Sequence, residues 1–452
     1  MIGLYFFMSV KPATKEITFK SLGLNPALIK ALDQQGITNP FPIQAATIPD
    51  AIAGHDILGR GQTGSGKTLA FGLALLHNIY GQRAKAHQPL ALVLAPTREL
   101  AQQIDEVLRP LARSVGHECV VIAGGMPYGK QVNALKKSIS IVVATPGRLI
   151  DLLDRKDIRF DHLEITVLDE ADQMADMGFL PAVKEILNQT KKGGQRLLFS
   201  ATLDRGVDGL VKQYLKEPRS HSIKEIEGTK DKAEHYVFVY RQGDKSNIIN
   251  QIAAREGKTL LFVRTKRGAD KLTSNLAHVG VKVGTLHGGK SQAVRTRTLA
   301  RFKDSESAVL IATDVAARGI HVDGIDLVVH IDLPADHKDY LHRSGRTARA
   351  GETGKVISLA THQEQRTMAG IALRAGVETW VMAVTPMDEK LVKIAGARTP
   401  SGVPTPEAKE KVVSKAPERG AGPRPKGGRK RKRVGNDQTR SKRSVPRAKR
   451  AR

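Results

Sequence analysis

Gly61-Gln62-Thr63-Gly64-Ser65-Gly66-Lys67-Thr68 is the stretch on which the fold turns. His55-Asp56-Ile57-Leu58-Gly59 ahead of it reads as a short apolar strand, and Thr68 to Ile79 carries the apolar spacing of a helix. Strand, glycine-rich loop and helix are the context in which G-x-x-x-x-G-K-[ST] cradles phosphate: backbone N–H groups curl round the oxygens, Lys67 reaches the terminal phosphates and the Thr68 hydroxyl reaches Mg²⁺. Further along, Val167-Leu168-Asp169-Glu170-Ala171-Asp172 is an apolar strand ending in carboxylates, the place for a metal-binding Asp beside such a loop. Together the two segments point to a nucleoside triphosphate, Mg²⁺ and hydrolysis.

Outward from this pair, apolar strand-like runs alternate with helix-length segments, which predicts parallel sheets in βα units. The first series has strands expected at Ala91–Ala95, Cys119–Ala123, Ile141–Ala144, Ile165–Asp169 and Gln195–Ser200. A second has them at Thr259–Val263, Val281–Thr285, Val309–Ala312, Leu327–Ile331 and Val356–Ala360. The organisation expected is an N-terminal extension 1–16, a first domain 17–218, a polar linker 219–233, a second domain 234–385 and a basic tail 386–452 without a core. Only the first domain has a phosphate loop, so the second is expected to complete the site across a cleft.

Composition limits the alternatives. Of 452 residues 40% are hydrophobic, enough for sizeable cores, and no apolar stretch reaches the ~20 residues that span a bilayer. The apolar start Met1-Ile2-Gly3-Leu4-Tyr5-Phe6-Phe7-Met8 is short and lacks a basic leader, so no signal peptide is expected, and Met8 is an alternative first residue. The single cysteine, Cys119, excludes an internal disulfide and a multi-cysteine metal site, and beside Val120, Val121 and Ile122 it reads as a buried strand thiol. Net charge is +27, with 72 Lys+Arg against 45 Asp+Glu. From Arg419 to Arg452 fifteen basic residues face the single acid Asp437, so a polyanion partner is expected, bound through counterion release.

Six further segments complete a pattern. They are Gly36-Ile37-Thr38-Asn39-Pro40-Phe41-Pro42-Ile43-Gln44, Pro96-Thr97-Arg98-Glu99-Leu100-Ala101, Gly124-Gly125, Thr145-Pro146-Gly147-Arg148, Ser200-Ala201-Thr202 and His342-Arg343-Ser344-Gly345-Arg346-Thr347-Ala348-Arg349. With these, the chain from Phe19 to Gly354 resembles the DEAD-box ATP-dependent RNA helicases of superfamily 2, and within them the bacterial RhlE-like group most. The resemblance implies an α/β fold of two tandem RecA-like domains, each a mainly parallel sheet flanked by helices. It implies RNA-stimulated ATP hydrolysis coupled, by domain closure, to local, non-processive unwinding of RNA duplexes or remodelling of RNA–protein complexes. An ATP-gated RNA clamp uses the same motifs and is the second reading; a DNA translocase is the third.

By the same resemblance, Lys67, Asp169, Glu170, Arg346 and Arg349 are catalytic. Asp169 and Thr68 hold Mg²⁺ largely through water, Glu170 takes the proton of the attacking water, and the two arginines stabilise charge on the γ-phosphate. ATP is bound by Phe19, Gln44 and the loop Gly61, Gln62, Thr63, Gly64, Ser65, Gly66, Lys67 and Thr68, with the Gln44 amide reading adenine through a donor and an acceptor. Asp172, Ser200, Thr202 and His342 couple the domains. RNA meets Pro96, Thr97, Arg98, Gly125, Thr145 and Arg148 in the first domain and Thr265, Gln292, Arg295 and Thr313 in the second, through phosphate and sugar contacts that do not read sequence. The implied setting is a cytoplasmic monomer with RNA as partner; ribosome-assembly and RNA-decay proteins are the protein partners left open. Three positions depart from the family: Ile37 replaces an adenine-stacking aromatic, His321 a ribose-binding aspartate, and Ala348 a glycine.

Overall fold

A computed structural model describes residues 17–61, 64–203, 205–222, 233–317, 322, 324–348 and 353–405. The extension 1–16, Gln62, Thr63, His321, Arg349 and the tail from 406 onward therefore lie outside the described residues.

Two sheets of seven strands each form the scaffold. The first holds β1 (Ile57–Arg60), β2 (Ala91–Leu94), β3 (Cys119–Ile122), β4 (Ile141–Ala144), β5 (Ile165–Leu168), β6 (Gln195–Ser200) and β7 (Arg219–Ser222), in the order β3-β4-β2-β5-β6-β1-β7. The second holds β8 (Ala233–Tyr240), β9 (Lys258–Phe262), β10 (Val283–Leu286), β11 (Ala308–Ala312), β12 (Ile325–His330), β13 (Gly354–Thr361) and β14 (Trp380–Ala383), in the order β10-β11-β9-β12-β13-β8-β14. Every neighbouring pair is parallel, in register such as Val93↔Val167 and Leu261↔Val329. These are two tandem RecA-like domains, as the sequence predicts.

Helices cover both faces of each sheet, which is why the central strands are continuous apolar runs. Successive residues feed opposite cores: Ala91 and Val93 pack with Phe71, Leu108 and Phe199, while Leu92 and Leu94 pack with Met174, Ile186 and Leu198. Each fully buried side chain of this kind contributes ~1.5–3 kcal/mol of transfer free energy.

Two expected boundaries are corrected. The linker expected at 219–233 contains β7, which pairs with β1 at Ile57↔Arg219. Its Arg-Ser-His-Ser sequence is an exposed edge without apolar signal, held by Arg219 N donating to Asp56 O at 2.8 Å and Lys216 N to the Asp56 carboxylate at 2.7 Å. Ala233, placed at the linker's end, opens β8. The tail expected from 386 is folded as far as Thr405. A helix at Glu389–Ala395 buries Leu391 and Ala395 in the second core, and Gly402 N and Thr405 N donate to Val279 O and Ala277 O at 3.0 and 2.9 Å. Seven helical residues carry too short a period to be read from sequence; contacts with the second core, the Asp388 cap, and Arg255 and Lys355 donating to Ala395 O and Ile394 O hold them in place.

Candidate nucleotide site and nucleic-acid groove

The site forms where the first sheet's strands end. β1 runs into the glycine-rich loop, and Gly64 and Gly66 adopt φ of +89° and +88°, which let successive N–H groups face one centre ahead of the helix Lys67–Asn78. A Cβ on Gly66 would stand 2.5 Å from Gln44 Nε2, so glycine is required there for packing as well as backbone. Lys67 is buried, its Nζ donating to Gly61 O at 2.6 Å across the loop. Ser65 Oγ is buried and has no hydrogen-bond partner among the described residues, a vacancy that a phosphate oxygen would satisfy.

Asp169 follows β5 and is 3% exposed. Burial, opposed by Lys67 and reinforced by Glu170, pushes its carboxyl up to about 7. Glu170 takes the left-handed conformation, φ 51°, at the start of the helix Ala171–Asp176, and its N–H donates to Asp169 Oδ1 at 3.0 Å. Thr68 lies in the first turn of the helix after the loop, so a hydroxyl and a buried carboxylate sit where a hard cation shared with phosphates needs few protein ligands. Among the described residues no group of three His, Cys, Asp or Glu side chains forms a self-sufficient metal cage.

Asp172 is gathered with its expected partners. Its Oδ2 accepts from Thr202 N at 2.8 Å and Thr202 Oγ1 at 2.9 Å, while Ser200 Oγ accepts from Asp172 N at 3.2 Å and donates to Thr202 O at 2.7 Å. The network lies within the first domain. His342, expected to join it, lines a small cavity of the second domain with Asp314, Asp339, Arg343 and Arg346 instead, and its buried Nδ1 has no hydrogen-bond partner among the described residues. Arg346 is 4% exposed and its Nε donates to His342 O at 3.1 Å.

Around the base-binding end the structure redistributes roles. Phe19 is 2% exposed in the core with Leu22 and Leu28, because its short 3-10 turn, capped by Thr18, folds the ring inward; it offers no free face to a ligand. Gln44 is fully buried, its Oε1 accepting from Phe41 N and its Nε2 donating to Gly66 O, both at 2.9 Å. Both ends of the amide thus bind the protein, tying the Gln44 helix to the phosphate loop. Ile37 packs partly on the core. The aromatic left facing outward is Phe41, 51% exposed, its ring against Gly66. Phe41 stands at a turn position where the motif asks for no aromatic, so sequence alone assigns it no role.

A second concavity, of about 620 Å³, is lined by Pro96, Thr97, Arg98, Gly125, Thr145, Arg148 and Arg295 together with Glu99, Met177 and Phe179. Arg98 Nη1 donates to Gly124 O at 2.9 Å, and a Cβ on Gly125 (φ +74°) would collide with that guanidinium. The Thr97 and Thr265 hydroxyls cap the starts of the helices Arg98–Ser114 and Lys266–His278. Gln292 and Arg295 do something the sequence did not reveal. Arg295 forms an ion pair with Glu99 at 2.9 Å, the side chains 7% and 4% exposed, and Gln292 Nε2 reaches Glu99 at 3.2 Å. This polar joint spans the two domains, with Lys338 and Asp176 3.8 Å apart as a looser second link. Burial lowers the Arg295 pKa, Glu99 opposing and Arg98 adding to the effect. Thr265, Gln292 and Thr313 are not among the groove-lining residues.

Family models for the DEAD/DEAH box helicase and the helicase conserved C-terminal domain match residues 41–210 and 244–351. The chain belongs to the DEAD-box helicases. It is 40% identical over 362 residues to proteins described as ATP-dependent RNA helicase RhlB from Xanthomonas oryzae pv. oryzae and Xanthomonas axonopodis pv. citri, covering 78% of this chain. The match spans 63% of the length of those relatives. Among solved structures, Dbp5 of S. cerevisiae bound to RNA and ADP BeF3 aligns with a TM-score of 0.74 at 29% identity, covering 84% of this chain and 98% of that one. Mss116p bound to ssRNA and AMP-PNP aligns at 0.72 and 27%, covering 85% and 83%. In this DEAD-box chain Ala348 is left-handed, φ 54°, which accounts for the glycine usual there. Among the described residues no helix is long and apolar enough to cross a membrane.

Proposed function

We propose that the protein is an RNA-stimulated ATPase that separates or remodels short RNA duplexes by closing its two domains on nucleotide and RNA. The observation that carries the reading is the phosphate loop with its unpartnered Ser65 hydroxyl beside the buried Asp169–Glu170 pair, next to a groove that collects seven of the expected RNA contacts. Mg²⁺ bound by Asp169 and Thr68 would neutralise phosphate charge, and the donor set fits it. Lys67 leaves Gly61 O for the terminal phosphates. Glu170 accepts a proton as water attacks the γ-phosphorus and the bond to the β-phosphate oxygen breaks, with Arg346 and Arg349 stabilising the charge that develops. Phe41 supplies the apolar face that Ile37 does not, and Gln44 exchanges its bond to Gly66 O for the adenine edge, so base recognition is felt by the loop. The structure neighbours bound to RNA with ATP analogues support the substrate class.

Such a protein is expected to act as a cytoplasmic monomer, on RNA without sequence preference. The tail beyond 406 serves as an electrostatic tether, and its removal flattens the salt dependence of RNA binding. The RhlE-like placement rests on sequence alone; complementation of strains lacking RhlE or RhlB separates it from an RhlB role. The deciding experiment measures ATP turnover with RNA, with DNA of the same sequence and with neither, beside strand displacement. Equal stimulation by DNA overturns the RNA reading, and RNA-stimulated turnover without displacement favours a clamp.

A further inference from the structure

Behind two residues of the groove wall, Arg148 and Asp151, stands a side-chain assembly that the motifs leave unexplained. Tyr128 opens the helix Tyr128–Leu135, just beyond Gly125. Two guanidinium groups lie over its ring: the Arg148 Cζ is 5.4 Å from the ring centroid and the Arg155 Cζ 5.0 Å. The two arginines differ in exposure, Arg148 being 16% and Arg155 63% exposed. Asp151 bridges them, 3.6 Å from Arg148 Nε and 3.1 Å from Arg155 Nε. Arg148 Nη1 also donates to Met126 O at 3.3 Å, and the Tyr128 hydroxyl donates to the Asp157 carboxylate. The ring is therefore held at its far end by Asp157 and lies within cation–π distance of both Arg155 and Arg148, which Asp151 links.

We propose that Tyr128 is a positioning residue for RNA, holding the Arg148 guanidinium at the groove wall so that it meets a backbone phosphate already oriented. The proposal rests on the RNA reading of the groove. A free arginine loses rotamer freedom on binding a phosphate; one already stacked on a ring and tethered to Met126 O and Asp151 has lost it beforehand, so less of the contact is spent on ordering. Stacking also suits this use, because a cation held over a ring face keeps its in-plane N–H donors free for an anion. The hydroxyl matters less than the ring, since it anchors Tyr128 and not Arg148.

The test titrates the full chain with a labelled oligouridine at two salt concentrations, in the presence of a non-hydrolysable ATP analogue, for wild type, Tyr128→Ala, Tyr128→Phe, Arg148→Ala and the Tyr128→Ala/Arg148→Ala double variant. Tyr128→Ala is expected to weaken binding about three- to tenfold, within the range of a cation–π contact. It should lower the salt slope by up to about 0.7, the share of one phosphate on a single strand. Tyr128→Phe should stay near wild type, and the double variant should be no weaker than Arg148→Ala, because both changes remove one contact. Should Tyr128→Ala fail to fold, Tyr128→Leu, which keeps bulk without a π face, carries the same expectation. If Arg148→Ala weakens binding while the Tyr128 variants do not, or if the two effects add fully, the positioning role is overturned. If Arg148→Ala binds oligouridine as wild type does, the groove reading fails and the proposal with it.

Discussion

Counted from its own first strand, each sheet has the same order, so the two domains can be compared loop by loop. The half built on β3-β4-β2 and its counterpart β10-β11-β9 carries like loops in both. Pro96-Thr97-Arg98 answers Arg264-Thr265-Lys266, Gly124-Gly125 answers Gly288-Gly289, and Thr145 answers Thr313. The other half diverges. After β1 stands the phosphate loop; after β8 stands only a 3-10 turn, Gln242–Asp244. Lys67 and Asp169 stand beside the glycine-rich loop, whereas in the second domain Lys245, at the matching helix start, pairs at 3.5 Å with Asp332, which also accepts from Arg264 N through Oδ2 at 2.9 Å, and the position matching Asp169 is the apolar Ile331. One sheet half thus carries matching loops in both domains, and the other half carries a phosphate loop in the first domain alone. The second domain fills its equivalent of the nucleotide site with its own ions.

That contrast can be broken by substitution. The largest effect is expected from Arg346→Ala, which should lower RNA-stimulated turnover by about 10³–10⁵-fold, as loss of an arginine finger does, with nucleotide still bound. Glu170→Gln should lower kcat by about 10²–10⁴-fold in steady-state assays while ATP and RNA affinities hold, since the shape stays and the base goes. Lys67→Ala should abolish both nucleotide binding by calorimetry and turnover. Its counterpart Lys245→Ala removes a half-exposed pair worth about 0–1 kcal/mol and should leave turnover unchanged; a large loss there would end the division of labour.

Asp169 sets a pH dependence on one side only. Its raised pKa means the carboxyl is protonated below about 7, so Mg²⁺-dependent nucleotide affinity should climb as pH passes through 7 and level off above. The same sign makes ionisation unfavourable in the folded, cation-free chain. Stability lost between the ordinary carboxylate pKa and about 7 should return in Asp169→Asn, whose melting temperature without Mg²⁺ should exceed wild type at pH 8 and match it near pH 4. The smallest effect is expected from Ala348→Gly, which relieves the left-handed backbone and should stabilise the second domain by about 1 kcal/mol in thermal melts.

What was legible in the sequence follows from how each feature is encoded. Central strands such as Ala91–Leu94 are buried on both faces and spell themselves in apolar runs, and the phosphate loop needs glycine and lysine at fixed spacing. β7 and the helix Glu389–Ala395 depend on pairing with a distant edge or core, which no local pattern records. Lys67, Asp169 and Asp172 come together because the segments after β1 and β5 leave the same end of the sheet on either side of β6, and Gln44 joins them from the helix Pro42–Ile52 through its bond to Gly66 O. Motif position predicts ligand roles for Phe19 and Arg295, yet burial decides what a side chain touches: the ring lies in the core, and the guanidinium pairs with Glu99. Gln62, Thr63 and Arg349 lie outside the described residues.

The joint between Arg295 and Glu99 has a thermal consequence. Parting the domains re-hydrates two ions that are nearly dry when together, and joining them strips that water away. Hydration of ions carries a strongly negative entropy, so its grip weakens on warming. The contact should therefore tighten with heat and loosen with cold, so that the two domains part most readily at low temperature.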